Sequence, residues 1–571
     1  MPAWLDDRRL VYPLLLGVMA LLTLPNLGAH SLWDIDEGYY CEVSREMLAR
    51  GDWVMPTFNG KLFAEKPVMV YWLQMVSYSV FGINEFAARF PSALCAVGVL
   101  LLTYELARSM FGAGAAWWSA LIMASCVEGS LQAHAATPDA PFLLFVMLAF
   151  AAFWRDWVRG GNGWLVPFGI ATGLAVLTKG PVGLALPAGI VGLFLIWSRS
   201  LHRLWNWHLL AGLAALAVVV LPWYALVTWQ AGDEFLAEFL GKHNVGRFTQ
   251  PMQSHRGSLF FQTAGIFVFF APWSICLIAV VWSAVGSCFT RSKAKPESVD
   301  PARQLARDGA RILIIWSAAF LIFFSLAATK LPHYVYPLYP ALAILTGRFL
   351  EYWREGKLRT LHWIAALAWL GIVATGLATI IGFSAVGGWL ELPMGKTRLL
   401  PGMAVYAWIG LIPLLGALFS LVFYIRGRRT ELIWTLSVSS IAFVGAISAW
   451  PAMTLDGLKA PQLLAAKAGI NPRETNLQVG CYGYFQPSLV YYAQGDVERL
   501  ESLSAAEKFL SQDTPVCLIL PAKTASELHS QAQGAEEVAR AFDFYRNYEV
   551  VAICNRSGRL ACLKQRNIQQ R

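Results

Sequence analysis

The chain has 571 residues, 57% of them hydrophobic and only 14% charged, with a mean hydropathy of +0.49. Soluble proteins carry about 25% charged residues, so a globular enzyme with one anchor is excluded and a polytopic membrane protein is indicated. The net charge of +9 does not call for nucleic acid, because many Lys and Arg lie in short loops between apolar runs, where they set topology.

The first apolar run follows "DDRR" and lacks a small-residue cleavage site, so it reads as a retained helix. Taking about 20 apolar residues per crossing, the expected spans lie near Leu10–Gly28, Phe90–Met110, Ala113–Ala133, Ala140–Val158, Trp164–Leu177 and Val182–Trp197. They continue near Leu209–Thr228, Thr263–Val285, Ile312–Ala328, Val335–Phe349, Leu361–Phe383, Met403–Tyr424 and Leu432–Trp450. The expectation is about 13 transmembrane helices.

Basic loop residues orient them. Arg8, Arg9, Arg155, Arg159, Arg199, Arg203, the run "RSKAKPESVDPARQLARDGAR", Arg348, Arg354, Lys357, Arg359 and "RGRR" all fall on one side. That side is the cytoplasm, with the N-terminus inside and, after an odd number of spans, the C-terminus outside. Two outer loops, 29–89 and 229–262, are too long to be mere connectors. The first has the apolar, aromatic and charged mixture of helices lying in the membrane interface.

From about Pro451 the composition changes. "TNLQVGCYGY", "TPVCLILPAK", "YEVVAICNR" and "ACLKQR" read as strands, with "SAAEKFLSQ" and "GAEEVARAFDFY" as helices. The expected organisation is a membrane domain over 1–450 and a periplasmic α/β domain over 451–571. The nine Cys contain no CxxC; those near the C-terminus permit a disulfide whose pairing the sequence does not specify.

The first outer loop opens with "SLWDIDEGYYCEVSREML", which crowds Asp34, Asp36 and Glu37 at the membrane surface. A solvated loop with an Asp N-cap accounts for this as well as a general base does. Cations at the same face shift the balance. Lys66 follows Glu65 in "FAEKP", Lys179 ends a span in "LTKGP", Lys330 begins "TKLPHYVYP", and Arg247 and Arg256 lie in the second long loop. Singly each reads as a snorkelling side chain. Together they suit an anion held at the interface. "HAATPDAPF" adds Asp139, in isolation a turn or N-cap residue. His243 and His255 flank Arg247, and with Glu65 they offer ligands to a divalent metal (Zn, Mg or Mn), although lone loop histidines are more often unliganded.

The motifs "LWDIDEGYYCEVSREML", "FAEKP", "LTKGP" and "TKLPHYVYP", in this order and at one membrane face, resemble the membrane glycosyltransferases of the C-type fold. The nearest branch is the bacterial aminoarabinose (4-amino-4-deoxy-L-arabinose) lipid A transferases of the protein O-mannosyltransferase superfamily. The resemblance covers roughly residues 1 to 450. It implies a polytopic α-helical fold, a polyprenyl-phosphate sugar donor, and transfer at the periplasmic face of the bacterial inner membrane to lipid A or another glycan or protein acceptor.

By position it implies Asp36, with its partner Glu37, and Asp139 as catalytic carboxylates. Lys66, Lys179 and Arg247 would hold the donor phosphate, with Lys330 a lesser candidate. Apart from the resemblance, Glu65 and His243 stay the candidate metal ligands, and Asp34, His255 and Tyr334 are further pocket candidates. Asp34 leaves the base open between itself and Asp36, and the spacing in "GKHNVGRF" leaves His243 insecure by position. The alternatives are a protein O-glycosyltransferase of the same superfamily and a polyprenyl-lipid flippase. The flippase would place ionisable groups at mid-membrane, whereas the spans are nearly free of them at their centres.

Overall fold

The computed structural model describes residues 3–161, 163–251, 257–289, 300–358, 362–391, 399–529 and 534–569. His255 and Arg256, the basic run at 290–299 and Arg359 lie outside the described residues. The chain separates into two compact units. One comprises Met1–Pro25, Ala64–Val70 and Phe90–Trp450; the other comprises Asn26–Phe63, Tyr71–Arg89 and Pro451–Arg571.

The first unit is helical, and every expected span falls on a helix, a broken helix or a bent pair. Among the described residues seven helices are long and apolar enough to cross a membrane, or eight if the pair Phe261–Phe269 and Trp273–Cys288, bent by 117°, is one span. Ala113–Ala124, Leu165–Lys179 and Val182–Trp197 are apolar but shorter. At 1.5 Å per residue, 16 residues rise only about 24 Å, short of a core about 30 Å thick. The difference from about 13 therefore lies in helix length and not in the location of the apolar runs.

Helix Leu165–Lys179 packs closely on helix Trp207–Ala231 because glycine meets glycine. A Cβ at Gly169 would come 2.2 Å from the Gly212 carbonyl oxygen, and one at Gly212 would come 2.5 Å from that of Leu165. Small residues at a crossing let membrane helices approach through their backbones. The first of these helices ends where "TKGP" demands it. Lys179 is its last residue, Gly180 turns the chain at φ +86°, and Pro181 precedes the next helix.

The second unit holds a hairpin of β1 (Thr57–Phe58) and β2 (Lys61–Leu62) and a five-stranded sheet. Its strands are β3 (Gln478–Cys481), β4 (Val497–Arg499), β5 (Val516–Pro521), β6 (Glu536–Asp543) and β7 (Tyr548–Cys554), in the order β4-β3-β5-β7-β6. β3 pairs in parallel with β4 and β5, while β7 runs antiparallel to β5 and β6. Val516, Leu518, Leu520, Val551 and Ile553 form the apolar face against Phe509 and Leu528.

Two expected elements change type. "GAEEVARAFDFY" is the edge strand β6, not a helix. Its Ala- and Glu-rich composition favours helix, but pairing with β7 prevails and buries Ala539, Ala541 and Asp543 at a period of two. "ACLKQR" is part of helix Arg556–Gln569, not a strand, with Cys562 and Gln565 buried three residues apart on one face.

Candidate active site

In the first unit, helix ends deliver opposite charges to one place. Helix Asp139–Arg159 begins with Asp139, and helix Leu165–Lys179 ends with Lys179. Each charge opposes the dipole of its own helix, which favours both. Lys179 Nζ donates to Asp139 Oδ1 at 2.5 Å, with the side chains 15% and 6% exposed. The same ammonium lies 5.2 Å from the Phe142 ring centroid. Lys66 and His333 are within electrostatic reach of Asp139.

A second, looser pair joins this group. Arg247 Nη2 lies 3.5 Å from Glu65 Oε2, both side chains just under one-fifth exposed. Arg247 Nη1 also points to the Tyr334 hydroxyl at 3.5 Å. Its segment is strapped to the "TKLPHY" segment by main-chain bonds, Ala328 N to Phe248 O at 2.9 Å and Thr329 N to Arg247 O at 3.2 Å. The side chains of Thr329, donating to Gln250 O at 3.1 Å, and Gln262, donating to Leu331 O at 3.1 Å, add to the strap.

His243 lies in the π-helical turn Ala237–Gly246 and is buried, with Nε2 3.7 Å from a Glu238 oxygen. Burial holds its pKa below the ordinary value, and Arg247 and Lys66 press it the same way against the opposing pull of Glu65. Among the described residues no three His, Cys, Asp or Glu side chains group as a metal site. Glu65 and His243 thus offer a divalent ion two ligands, and Arg247 competes for one of them. These two side chains alone do not complete a metal site; His255, the third expected ligand, lies outside the described residues.

Lys330 is turned elsewhere. It is buried and donates to the carbonyls of Ser325 and, at 3.4 Å, Phe324, so it caps helix Pro301–Leu326. Sequence reading passed over His333 and Glu128. His333 stands in "TKLPHYVYP", three residues from the flagged lysine. Glu128, fully buried, accepts from Gln132 at 2.9 Å within electrostatic reach of Asp139 and Lys179. An isolated Glu in the apolar run before "HAATPDAPF" was the available signal.

In the second unit the three clustered carboxylates have three different environments. Glu37 is buried and paired with Arg89, Nε to Oε1 at 3.0 Å and Nη2 to Oε2 at 2.7 Å, and accepts from Trp33 N at 2.8 Å. Arg89 gives its three other donor positions to the carbonyls of Leu27, His30 and Ser31 at 2.9–3.0 Å, so all five guanidinium donors are used. Asp34 accepts from Ser488 N at 2.8 Å and Ser488 Oγ at 2.5 Å. Asp36 begins helix Asp36–Arg50 and is exposed. The expected Asp cap is absent: Ile35 holds the N-cap position and makes no side-chain bond.

The sequence profile of the family described as dolichyl-phosphate-mannose-protein mannosyltransferase matches residues 65–224. A protein of Aquifex aeolicus, described only as uncharacterized, is 30% identical over 69% of this chain and 76% of its own length. The chain belongs to this family of membrane glycosyltransferases. The undecaprenyl phosphate-alpha-4-amino-4-deoxy-L-arabinose arabinosyl transferase 2 of Pseudomonas fluorescens is 33% identical over 66% of this chain. The chain spans 65% of that relative's length and 60% of the corresponding transferase of Pseudomonas aeruginosa. The crystal structure of ArnT from Cupriavidus metallidurans bound to undecaprenyl phosphate superposes with a TM-score of 0.75 at 23% identity, covering 94% of this chain and 97% of that one. The polytopic C-type glycosyltransferase fold with a small C-terminal sheet is therefore the fold of this chain.

Proposed function

We propose that this chain moves a sugar, 4-amino-4-deoxy-L-arabinose foremost, from polyprenyl phosphate to lipid A. The site lies on the periplasmic face of the bacterial inner membrane, with the N-terminus cytoplasmic and the C-terminus periplasmic. The observation that carries the reading is the gathering of Lys66, Lys179 and Arg247, with His333, around the carboxylates of Asp139 and Glu65, while nearby Glu128 is buried and held by Gln132. An excess of partly exposed cations at helix ends is an anion site, and a lipid-linked phosphate confined to the interface is the anion that such a site meets. The matched relatives named as undecaprenyl-phosphate arabinosyl transferases support the choice of donor and sugar.

The chemistry follows from the leaving group. An acceptor oxygen attacks the anomeric carbon, the bond from that carbon to the donor phosphate oxygen breaks, and polyprenyl phosphate departs with the electron pair. No acid is needed, because the leaving group is a stable anion. Lys66, Lys179 and Arg247 act by meeting its growing charge, and Asp139 keeps the Lys179 ammonium aimed. A single displacement inverts the anomeric centre. Asp36, the exposed carboxylate of its cluster, takes the proton of a hydroxyl acceptor; for a phosphate acceptor, already ionised, it orients the nucleophile instead. Lys330 contributes by holding the "TKLPHY" segment. The family's profile description keeps a protein hydroxyl as the second acceptor.

The test is reconstitution of the purified protein with undecaprenyl-phosphate aminoarabinose and either lipid A or a Ser/Thr peptide, with products read by mass spectrometry. Transfer to lipid A is expected. Sugar on the peptide alone would replace the acceptor, and movement of the donor across vesicles without transfer would establish the flippase. A chelator is expected to leave the rate unchanged; loss restored by Zn, Mg or Mn would return the metal to Glu65 and His243.

A further inference from the structure

We infer that the C-terminal α/β domain is the clamp that sets the position of Asp36, with Ser488 as its positioning residue. The inference rests on the reading of Asp36 given above. The loop 31–37 is bound to this domain by donors and acceptors at Ser31, Leu32 and Asp34, ahead of Asp36, and not at Asp36 itself. Ser31 donates through N at 2.7 Å and Oγ at 2.5 Å to Asp456 Oδ1, and its carbonyl accepts from Lys459 Nζ at 2.9 Å. Leu32 N donates to the Tyr492 hydroxyl at 2.7 Å and Asp34 N to the Tyr545 hydroxyl at 2.9 Å. The Lys459 ammonium sits 3.6 Å over the Trp33 ring. The Asp34 carboxylate takes both donors of Ser488, at the start of helix Pro487–Ala493.

Gly38 shows how tightly this contact is closed. A Cβ there would lie 2.5 Å from Ser488 N and 2.6 Å from Asp34 Oδ1. The glycine of "DEGYY" is therefore required by the close approach of the helix start to Ser488. Glu37, on the far side of Asp36, is fixed by Arg89. Asp34 and Glu37 are the brackets, and Asp36 is the one carboxylate of the three that the clamp leaves exposed. A general base must be held to a fraction of an ångström, and a misplacement of about 1 Å costs up to about 100-fold in rate.

The experiment compares kcat and donor KM of Ser488→Ala, Ser488→Thr, Tyr545→Phe and Asp36→Asn in the full-length protein, with thermal unfolding as a folding control. Ser488→Ala is expected to lower kcat roughly tenfold with KM unchanged within about twofold, and Ser488→Thr to restore most of it. Adding Ser488→Ala to Asp36→Asn is expected to cost nothing further, because the clamp acts only through that carboxylate. Tyr545→Phe, which removes one hydroxyl, is the milder probe if Ser488→Ala unfolds. Wild-type kcat in both clamp variants beside a crippled Asp36→Asn would overturn the clamp alone, as would additive losses in the double variant. An active Asp36→Asn would overturn the reading of the base.

A different observation carries a second proposal. Cys517 and Cys554 are register partners on β5 and β7, and Cys562 on helix Arg556–Gln569 brings its sulfur to 3.8 Å from that of Cys554, all three buried. We propose that Cys554 and Cys562 form a disulfide in the extracytoplasmic compartment, leaving Cys517 as a buried thiol. The sulfurs need only close to about 2.05 Å. In the step the two thiols give two electrons and two protons to the disulfide of a dithiol oxidase, which leaves as a dithiol, by exchange through a mixed disulfide before the domain closes.

Alkylation of the denatured, unreduced protein followed by peptide mass spectrometry is expected to show a Cys554–Cys562 link and alkylated Cys517. Three alkylated thiols, or a link from Cys517, would overturn the proposal. A membrane-impermeant maleimide on Ser526→Cys in intact spheroplasts reports the side of the domain independently, so that a cytoplasmic domain would show the orientation, not the pairing geometry, to be at fault.

Discussion

Both units bury acidic and basic side chains in pairs, yet the pairs differ in completeness. Glu37 and Arg89 in the second unit are 3% and 0% exposed, and every guanidinium donor has an acceptor. Glu42 and Arg45 form a second buried pair on the same helix, less complete because Nη1 of Arg45 is buried without an acceptor, and burial pushes the Glu42 carboxyl up to about 7. In the first unit Asp139 and Lys179 touch through a single contact, Glu65 and Arg247 stand 3.5 Å apart, and all but Asp139 keep some exposure. A saturated pair fixes a backbone; an unsaturated one still has charge to offer a ligand. The contrast divides residues of one chemistry into scaffold and site.

The comparison breaks first at Arg89. Arg89→Leu leaves Glu37 buried without its cation and three carbonyls without donors, a loss expected to cost about 3–5 kcal/mol. Chemical unfolding of the purified protein checks it, and wild-type stability would mean that the pair is not buried as described. Lys179→Gln tests the other side. It removes a cation aimed at the leaving phosphate and is expected to lower kcat about 100- to 1,000-fold, with a smaller change in unfolding than at Arg89. An equal loss of stability with unchanged kcat would move Lys179 to the scaffold. Arg247→Gln follows, with a roughly tenfold rise in donor KM expected from the loss of one charged contact. Glu65→Gln, which frees Arg247 from its partner, is expected to shift KM in the opposite direction and by less.

How much of this was legible in the sequence depends on distance along the chain. Apolar runs are local, so each expected span lands on a helix even where the helix proves short. Lys179 at a helix end could be read from "TKGP", since Gly and Pro punctuate backbone whatever surrounds them. The fates of Asp34, Asp36 and Glu37 could not. Their partners Ser488 and Arg89 lie 454 and 52 residues away, and nothing within "DIDEG" says which carboxylate is taken. Lys330 differs: its carbonyl partners are only five and six residues away, but they become visible only when the end of helix Pro301–Leu326 is located. β6 was misread because an edge strand beside β7 is held by pairing, and composition records only propensity.

The smallest effect expected is also the one that discriminates most sharply within the cluster. Burial pushes the Asp34 carboxyl up to about 7; the two Ser488 donors and Lys459 pull it down, Asp543 adds to the rise, and burial prevails. The folded protein therefore keeps this proton up to about 7, while an unfolded Asp releases it near 3.9. Between those values the folded state binds more protons, so the group's contribution to stability falls as pH rises through the window. Asp34→Asn removes the titration and keeps an oxygen for Ser488. The gap in melting temperature between wild type and Asp34→Asn, measured from pH 5 to 8, is thus expected to move against the wild type as pH rises. Glu42 titrates in the same window but is common to both proteins and cancels. Lys459, held down to about 8 by burial, and His30, held down to about 4, are likewise common to both proteins. A gap constant across that range would place Asp34 at its ordinary value, in contact with water, and the clamp would then be open in solution.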